Sequence, residues 1–425
     1  MGTKNSFLKI FELVFTILSL VHLSQGLIPI LITGGASEGD GVDVQSLDFS
    51  LNAKVSILIY LISFLLLVLR WKKVLNVLRK DKFIWVLLLI ACLSVFWSVL
   101  PAETLRFSLY AIGTTGFGLY IASRYTLKEQ LVIFSWTFIL IILLSIFFIV
   151  ALPKYGIMGA LHEGAFRGIY THKNRFGLML VPASIIFFLQ AIGTKKYSWV
   201  FWLLLSSSVA LTVLSRSTTS IGNLAIMLFL CIVYRMFRWR YELMITVILG
   251  AIVAGIAGLL WFINYVETDL LLVAIGKDST FSGRTDIWRY VWDQIQLRPW
   301  LGYGLSAFWQ GLKGPSGYVE LAVRTSVAYA HNGFLDLWLA IGFVGLSAFI
   351  LGLFNAISKS INLLRKTNSP EGFWPLLFLT YVLLSNISEG SITTMDNMFW
   401  AIYAATVFSL SILKNSKHAF SANHL

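Results

Sequence analysis

Residues 131–151 read LVIFSWTFILIILLSIFFIVA, 21 positions without one Asp, Glu, Lys or Arg. At about 1.5 Å of rise per residue this run makes a helix of roughly 30 Å, the thickness of the hydrocarbon core of a bilayer. Working outward, further apolar runs lie near 9–32, 55–70, 83–100, 107–122, 176–192, 199–214, 221–237, 243–265, 333–357, 373–387 and 398–413. The sequence therefore predicts an all-α polytopic membrane protein with about twelve transmembrane helices, one membrane domain over residues 1–425. Composition agrees: 57% of the chain is hydrophobic and 12% charged, against about 25% charged in an average soluble chain.

The first run has some features of a signal peptide. Lys4 and Lys9 precede the apolar stretch, and Ser24-Gln25-Gly26 stands where a cleavage site would. Because the apolar run resumes from Leu27 to Ile32, an uncleaved first helix is the expectation. Met1-Gly2 with Ser6 also fits a loose myristoylation pattern, which adds little to a chain that crosses the bilayer this often. Cys92 and Cys231 both lie inside apolar runs, so neither a disulfide framework nor a thiolate metal site is expected.

The net charge of +13 would point to nucleic acid in a soluble protein, but here it reports topology. Arg70, Lys72, Lys73, Arg79, Lys80 and Lys82 crowd one loop, and Arg235, Arg238 and Arg240, then Lys359, Arg365 and Lys366, mark two more on the same side. With both termini on that side, its loops carry 20 of the 33 basic residues and 5 of the 20 acids. That side is expected to be cytoplasmic. The opposite face holds 13 basic and 15 acidic residues and two segments too long for plain connectors: a cationic loop over 153–175 and a large loop over 266–331, expected to lie over the active site. Long ordered loops tend to carry function, so the chemistry is sought on the outer face.

The first of these loops contains Arg167, His172, Lys173 and Arg175, a cationic patch on a side with no positive excess. It suits a phosphate-bearing ligand, or side chains snorkelling at headgroup level. Ser215-Arg216-Ser217-Thr218-Thr219-Ser220 forms a hydroxyl-rich turn with one guanidinium at the membrane boundary, where a charge is expensive and often functional. Ser282-Gly283-Arg284-Thr285-Asp286 opens an amphipathic helix whose apolar face is expected to comprise Trp288, Val291, Trp292 and Ile295, with Arg284 on that face and aimed at the bundle. Pro299-Trp300-Leu301-Gly302-Tyr303-Gly304 is a Gly-aromatic turn without the strand or the Lys-Ser/Thr pair of a phosphate loop. Ala330-His331-Asn332-Gly333 leads into the next helix and offers His331 as a proton acceptor.

Taken together, Gly168-Ile169-Tyr170-Thr171-His172-Lys173-Asn174, Leu214-Ser215-Arg216-Ser217, Gly283-Arg284-Thr285-Asp286-Ile287-Trp288 and His331-Asn332 with Gly342 and Gly345 downstream resemble the O-antigen ligase and Wzy-type polysaccharide polymerase superfamily. The similarity covers roughly Phe166 to Gly345, and the run from Arg298 to Trp309 looks most like its exopolysaccharide-polymerase branch. The resemblance implies a GT-C-like glycosyltransferase of the bacterial inner membrane, independent of metal and cofactor, with its active site facing the periplasm. The donor would be a glycan on undecaprenyl diphosphate, and the acceptor a second lipid-linked glycan or lipid A core. Polysaccharide-export or chain-length proteins would be its partners, and nucleic acid would not. Carried over by motif, Arg216 and Arg284 would hold the diphosphate and His331 would orient or deprotonate the acceptor hydroxyl. Arg167, His172, Lys173 and Arg175 would make secondary substrate contacts.

Two other readings set the contrast. A metal-dependent polyprenyl-phosphate-sugar transferase would need carboxylates such as Glu38 with Asp40 or Glu267 with Asp269. A flippase would place ionisable residues at the bilayer midplane, whereas here they gather at the rims.

Overall fold

The computed structural model describes residues 2–36, 47–78, 80–159, 162–238, 242–243, 246, 284–391 and 393–413. Nearly all of the expected ninth span, the start of the large loop with Ser282 and Gly283, and the acidic pairs Glu38/Asp40 and Glu267/Asp269 lie outside these residues. Among the described residues the chain is helical, with no strand and one isolated bridge between Ile157 and Phe166. In order, the helices are α1 (Gly2–Leu23), α2 (Leu27–Ile32), α3 (Ser50–Val68), α4 (Trp71–Leu78), α5 (Phe83–Leu93), α6 (Pro101–Arg124), α7 (Leu127–Ala151), α8 (Pro153–Gly156), α9 (Lys173–Gly193), α10 (Ser198–Leu214), α11 (Thr218–Val233), α12 (Arg284–Leu297), α13 (Gly317–Val323), α14 (Gly333–Lys366), α15 (Trp374–Ser388) and α16 (Met398–Leu413).

Helix stands at eleven of the twelve expected spans. Five described helices are long and apolar enough to cross a bilayer: Ser50–Val68, Leu127–Ala151, Lys173–Gly193, Thr218–Arg238 and Gly333–Lys366. The apolar run over 131–151 lies in α7, opened by a capping box in which Thr126 accepts from the Glu129 N–H and the Glu129 carboxylate accepts from the Thr126 N–H at 2.8 Å. Two expected spans are interrupted. Ser24-Gln25-Gly26 forms a packed turn between α1 and α2, with Gln25 at φ 60° and Ser24 buried beneath the Tyr170 hydroxyl. The run at 83–100 leaves helix after Phe96 because its last residues bind the outer loop: the Trp97 indole donates to the Leu301 carbonyl at 2.8 Å and the Val99 N–H to Tyr303 at 3.0 Å.

Helices α9 and α16 form the centre. Most of α9 is buried, against a third or less of α3 and α11, and α16 packs on α6 where Gly118 lets Ala401 and Ala404 approach closely. Outward faces carry large apolar side chains, among them Leu61, Leu65 and Val68 of α3. Such a surface is stable in lipid and would be an aggregation hazard in water. Charged residues assigned to one side meet there. Glu12 is 1% exposed between Arg70 and Arg124, with Arg124 Nε 2.5 Å from its carboxylate, and Lys359 pairs with Asp81 at 3.2 Å.

One helix is broken, and the break shapes the outer face. Ile341 and Gly342 leave helical geometry in α14, Gly342 at φ 69° and ψ −175°, a region that only glycine occupies at low cost. The orphaned backbone groups are taken up by the Gly-aromatic turn: Tyr303 N–H donates to the Leu339 carbonyl at 2.7 Å, Gly304 N–H to Ala340 at 2.9 Å, and Phe343 N–H to Pro299 at 2.8 Å. The turn is thus a backbone splint, the structural role favoured for it by the absence of a phosphate-loop context. Beside it, Ile287, Val291 and Ile295 of α12 pack with Tyr303, Phe308, Val319 and Val327 in a second small core. Replacing Gly342 with Ala would put a Cβ 2.1 Å from the Trp300 carbonyl oxygen. We expect the Gly342→Ala protein to lose roughly 2 kcal/mol or more of stability, read as an earlier thermal transition of the detergent-solubilised protein.

Candidate functional site

Three helices begin at one place on the outer-loop face. Helix α9 starts at Lys173, α12 at Arg284 and α14 at Gly333, so three positive dipole ends converge there, each worth roughly half a charge. His172 caps α9, its Nδ1 accepting from the Asn174 N–H at 3.1 Å. Asn332 caps α14 through the N–H groups of Phe334 and Leu335. The C-terminal end of α15 closes the arrangement with Ser388 and Glu389.

Glu389 joins these ends. Its side chain is 7% exposed. Oε1 accepts from Arg284 Nη2 at 3.0 Å and from Asn174 Nδ2 at 3.2 Å, and Oε2 accepts from the Tyr329 hydroxyl at 3.0 Å. His331 Nδ1 stands 3.5 Å from Oε2. Arg284 Nη1 donates to the Ser388 carbonyl at 2.6 Å, so its guanidinium points down to the bundle as the helical spacing predicts. Burial alone would raise the Glu389 carboxyl, but His331, Arg284 and Tyr329 outweigh it and hold it below its usual range. Tyr329 is pushed up, first by burial and then by the neighbouring carboxylate, and stays a donor.

His331 sits at φ 51° and Arg216 at φ 50°, two of the non-glycine residues held in the left-handed region, where backbone strain of about 1–3 kcal/mol needs support. For His331 that support is Asp336. This buried carboxylate accepts from the Ala330 N–H at 2.9 Å and from the Trp309 indole at 2.8 Å, while the Trp288 indole donates to the Ala330 carbonyl at 2.8 Å. Both peptide groups that lead into His331 are therefore fixed. Its ring lies against Tyr329, with centroids 4.2 Å apart.

The cationic loop reaches the same place through α9. Lys173 Nζ is 3.5 Å from the Arg216 carbonyl, and Arg216 Nη1 donates to the Glu163 carbonyl at 3.2 Å. Arg175 has Nη1 buried without a hydrogen-bond partner among the described residues, which leaves an N–H group able to donate. A cavity of about 780 Å³ opens beside this patch between the end of α2 and the loop, with Gly35, Lys154, Met158 and Glu163 in its walls. Neighbouring residues of one helix start thus link the expected groups: Lys173 touches the Arg216 turn, and Asn174 touches the carboxylate that holds Arg284 and faces His331.

Two expectations are corrected. Arg167 is fully buried, and its guanidinium donates to the carbonyls of Gly35 at 2.5 Å, Lys154 at 2.8 Å, Tyr155 at 2.8 Å and Ala36 at 3.0 Å. It is spent on holding the loop's backbone and is not presented to a substrate. The buried face of α12 consists of Ile287, Val291, Gln294 and Ile295; Trp288 lies at its flank and Trp292 is 45% exposed, as bulky indoles rarely fit wholly inside. Glu389, Tyr329 and Asp336 were not foreseen. Asp336 lies in the first turn of the helix that follows His331-Asn332, whereas Glu389 is a single acid after an apolar run, with no motif around it.

A family profile described as O-antigen ligase matches residues 199–350, a stretch with Arg216, Arg284 and His331 inside it and Glu389 outside. The exopolysaccharide production protein ExoQ of Rhizobium meliloti (strain 1021) is 28% identical over 376 residues, covering 82% of this chain and 84% of that protein. Both findings support the O-antigen ligase and Wzy-type superfamily that the motifs resemble.

Two outcomes are expected of this geometry. Arg167→Met leaves several buried carbonyls unpaired and should cost a few kcal/mol of stability, whereas Lys173→Ala should shift stability by less than about 1 kcal/mol while weakening anion binding; thermal unfolding with and without pyrophosphate separates the two. Because the folded state favours ionised Glu389, its stabilisation is complete above the unfolded carboxyl value of about 4.3 and is lost as pH falls through the lower folded value. Acid unfolding should accordingly be steeper in the wild type than in Glu389→Gln.

Proposed function

From the similarity to this superfamily, we propose that the protein is a membrane glycosyltransferase of surface-polysaccharide assembly. It transfers glycan from undecaprenyl diphosphate to an acceptor hydroxyl, in a Wzy-like polymerisation of lipid-linked repeat units at the periplasmic face of the inner membrane. The observation that carries this reading is the meeting of Arg284 and His331 on one carboxylate, beside the start of α9 with Lys173 and Arg175. A cluster of fixed cations and helix N-termini suits a diphosphate, and a histidine with one nitrogen turned to a carboxylate suits proton abstraction.

In this mechanism Arg284 and Arg216 bind the diphosphate, with Lys173 and Arg175 as secondary contacts. Nδ1–H of His331 faces Glu389, so Nε2 is the acceptor. It takes the proton of the acceptor hydroxyl as that oxygen bonds to the anomeric carbon of the donor. The bond from the anomeric carbon to the diphosphate breaks, and its electron pair leaves on the diphosphate, where guanidinium groups stabilise the developing charge. One such donor contributes about 3 kcal/mol in a water-poor site. No step in this route calls on a metal or cofactor.

The relative named for exopolysaccharide production supports a role in surface-polysaccharide assembly, and transfer to lipid A core is the alternative to polymerisation. The glycan of a deletion strain tests this: single repeats left on lipid match a polymerase, and long chains accumulating on undecaprenyl diphosphate match a ligase. In vitro, His331→Ala and Arg284→Ala should each lower transfer at least about 100-fold with the protein still folded in the membrane. A wild-type rate in either variant sinks the assignment, and a rate abolished by EDTA returns the metal-dependent reading.

A further inference from the structure

The proposed reaction uses Arg284 on the leaving group and His331 on the acceptor, and nothing in that scheme makes one depend on the other. The structure places a single negative charge between them. Glu389 gives Oε1 to Arg284 at 3.0 Å, a charged hydrogen bond, and leaves Oε2 at 3.5 Å from His331 Nδ1, longer than a full hydrogen bond. Asn174 and Tyr329 fill the remaining positions with neutral donors. We propose that Glu389 is a positioning residue that couples donor binding to the base: when the lipid diphosphate takes the Arg284 guanidinium, the Glu389 carboxylate closes on His331. This inference rests on the roles given above to Arg284 and His331.

The driving force is charge compensation. A carboxylate that is 7% exposed has little water to turn to, and its charge must be met by its neighbours. Before the donor arrives, the Arg284 guanidinium meets it. A diphosphate competes for that cation with more negative charge, and Asn174 and Tyr329 bring none in exchange. Among the described residues, the remaining group that touches Glu389 and can become positive is His331. The imidazolium that forms when Nε2 takes the acceptor's proton is then stabilised through Nδ1–H to Oε2. The proton leaves His331 for the departing diphosphate or water, and Arg284 returns to Glu389 as the diphosphate leaves. An acceptor hydroxyl is thereby activated only when a donor is present, which guards against idle turnover of the base.

A purely structural Glu389 would behave differently. If it only held Arg284 in place, its loss would weaken donor binding. Under the coupled scheme Glu389 competes with the donor for Arg284, so removing its charge spares or strengthens donor binding while slowing the chemical step. The experiment uses the full chain in lipid nanodiscs, with farnesyl diphosphate as the binding probe and lipid-linked oligosaccharide for turnover. Glu389→Gln is expected to bind the probe as tightly as the wild type, or up to about tenfold tighter, while kcat falls about 100- to 10,000-fold. Glu389→Asp keeps the charge with a shorter reach and should recover part of kcat. An unchanged kcat, or a weakened probe affinity that accompanies a lower kcat, overturns the coupling. Should the Gln protein not fold, Glu389→Asp decides, with at least a tenfold loss in kcat at a donor KM within about twofold of wild type expected. Activity retained in Arg284→Ala or His331→Ala would instead remove the underlying reading, so the two failures are distinguishable.

Discussion

A buried carboxylate needs compensation from several directions, and the Glu389 side chain draws that compensation from three separate parts of the chain. Asn174 comes from the start of α9, Arg284 from the start of α12, Tyr329 and His331 from the approach to α14, and Glu389 itself from the end of α15. Removing any charged partner leaves a cost of about 3–5 kcal/mol that the interior cannot absorb. The helix ends of the outer face are thereby tied to one another, and the groups the proposed chemistry needs are tied with them. Positions that lie far apart in sequence become neighbours because one charge has to be neutralised.

The break in α14 lets the outer loop join that arrangement. A continuous helix would satisfy its own backbone and offer nothing to the turn at 299–304. By opening at Ile341 and Gly342, α14 frees carbonyls that need donors from elsewhere, and the turn supplies matching N–H groups. Trp97 and Val99 bind the other side of the same turn, so the loop is stitched between α5 and α14. This anchors the small core around α12 and sets where Arg284 begins its helix. Asp336, five residues before the break at Ile341, fixes the peptide of Ala330 and so holds His331 in a conformation that it would not adopt unaided.

Long apolar runs and loop charges suffice to read the helices and the segregation of ionisable groups, because both follow from the cost of placing polar atoms in hydrocarbon. Arg70, Arg124 and Glu12 meet at one end, and Arg284, His331 and Glu389 at the other. The local motifs also mark Arg216, Arg284 and His331 for attention, since each sits at a helix start with distinctive neighbours. Glu389 escapes such a reading because its importance comes only from what tertiary packing brings to it; in sequence it is one acid after an apolar run. Arg167 errs in the opposite sense. Its place in a cationic patch looks like ligand chemistry, yet five carbonyls converge on it, a convergence that no pattern of residue types encodes.

Two of the buried carboxylates, Glu12 and Glu389, differ in a way that separates a lock from a working group. Glu12 is held by two guanidinium groups, Arg70 and Arg124, whose protonation is invariant under physiological conditions. Nothing about that cluster changes unless the protein comes apart, and its effect is to pin α1 to the turn after α3 and the end of α6. Glu389 has one guanidinium, one imidazole, a phenol and an amide. Its charge balance holds an exchangeable term, because Arg284 is the group an incoming anion would claim and His331 is able to gain or lose a proton. Stability alone would be served better by a second arginine in place of His331. A histidine at that position makes the cluster responsive, and responsiveness is of use only where a ligand or a proton arrives.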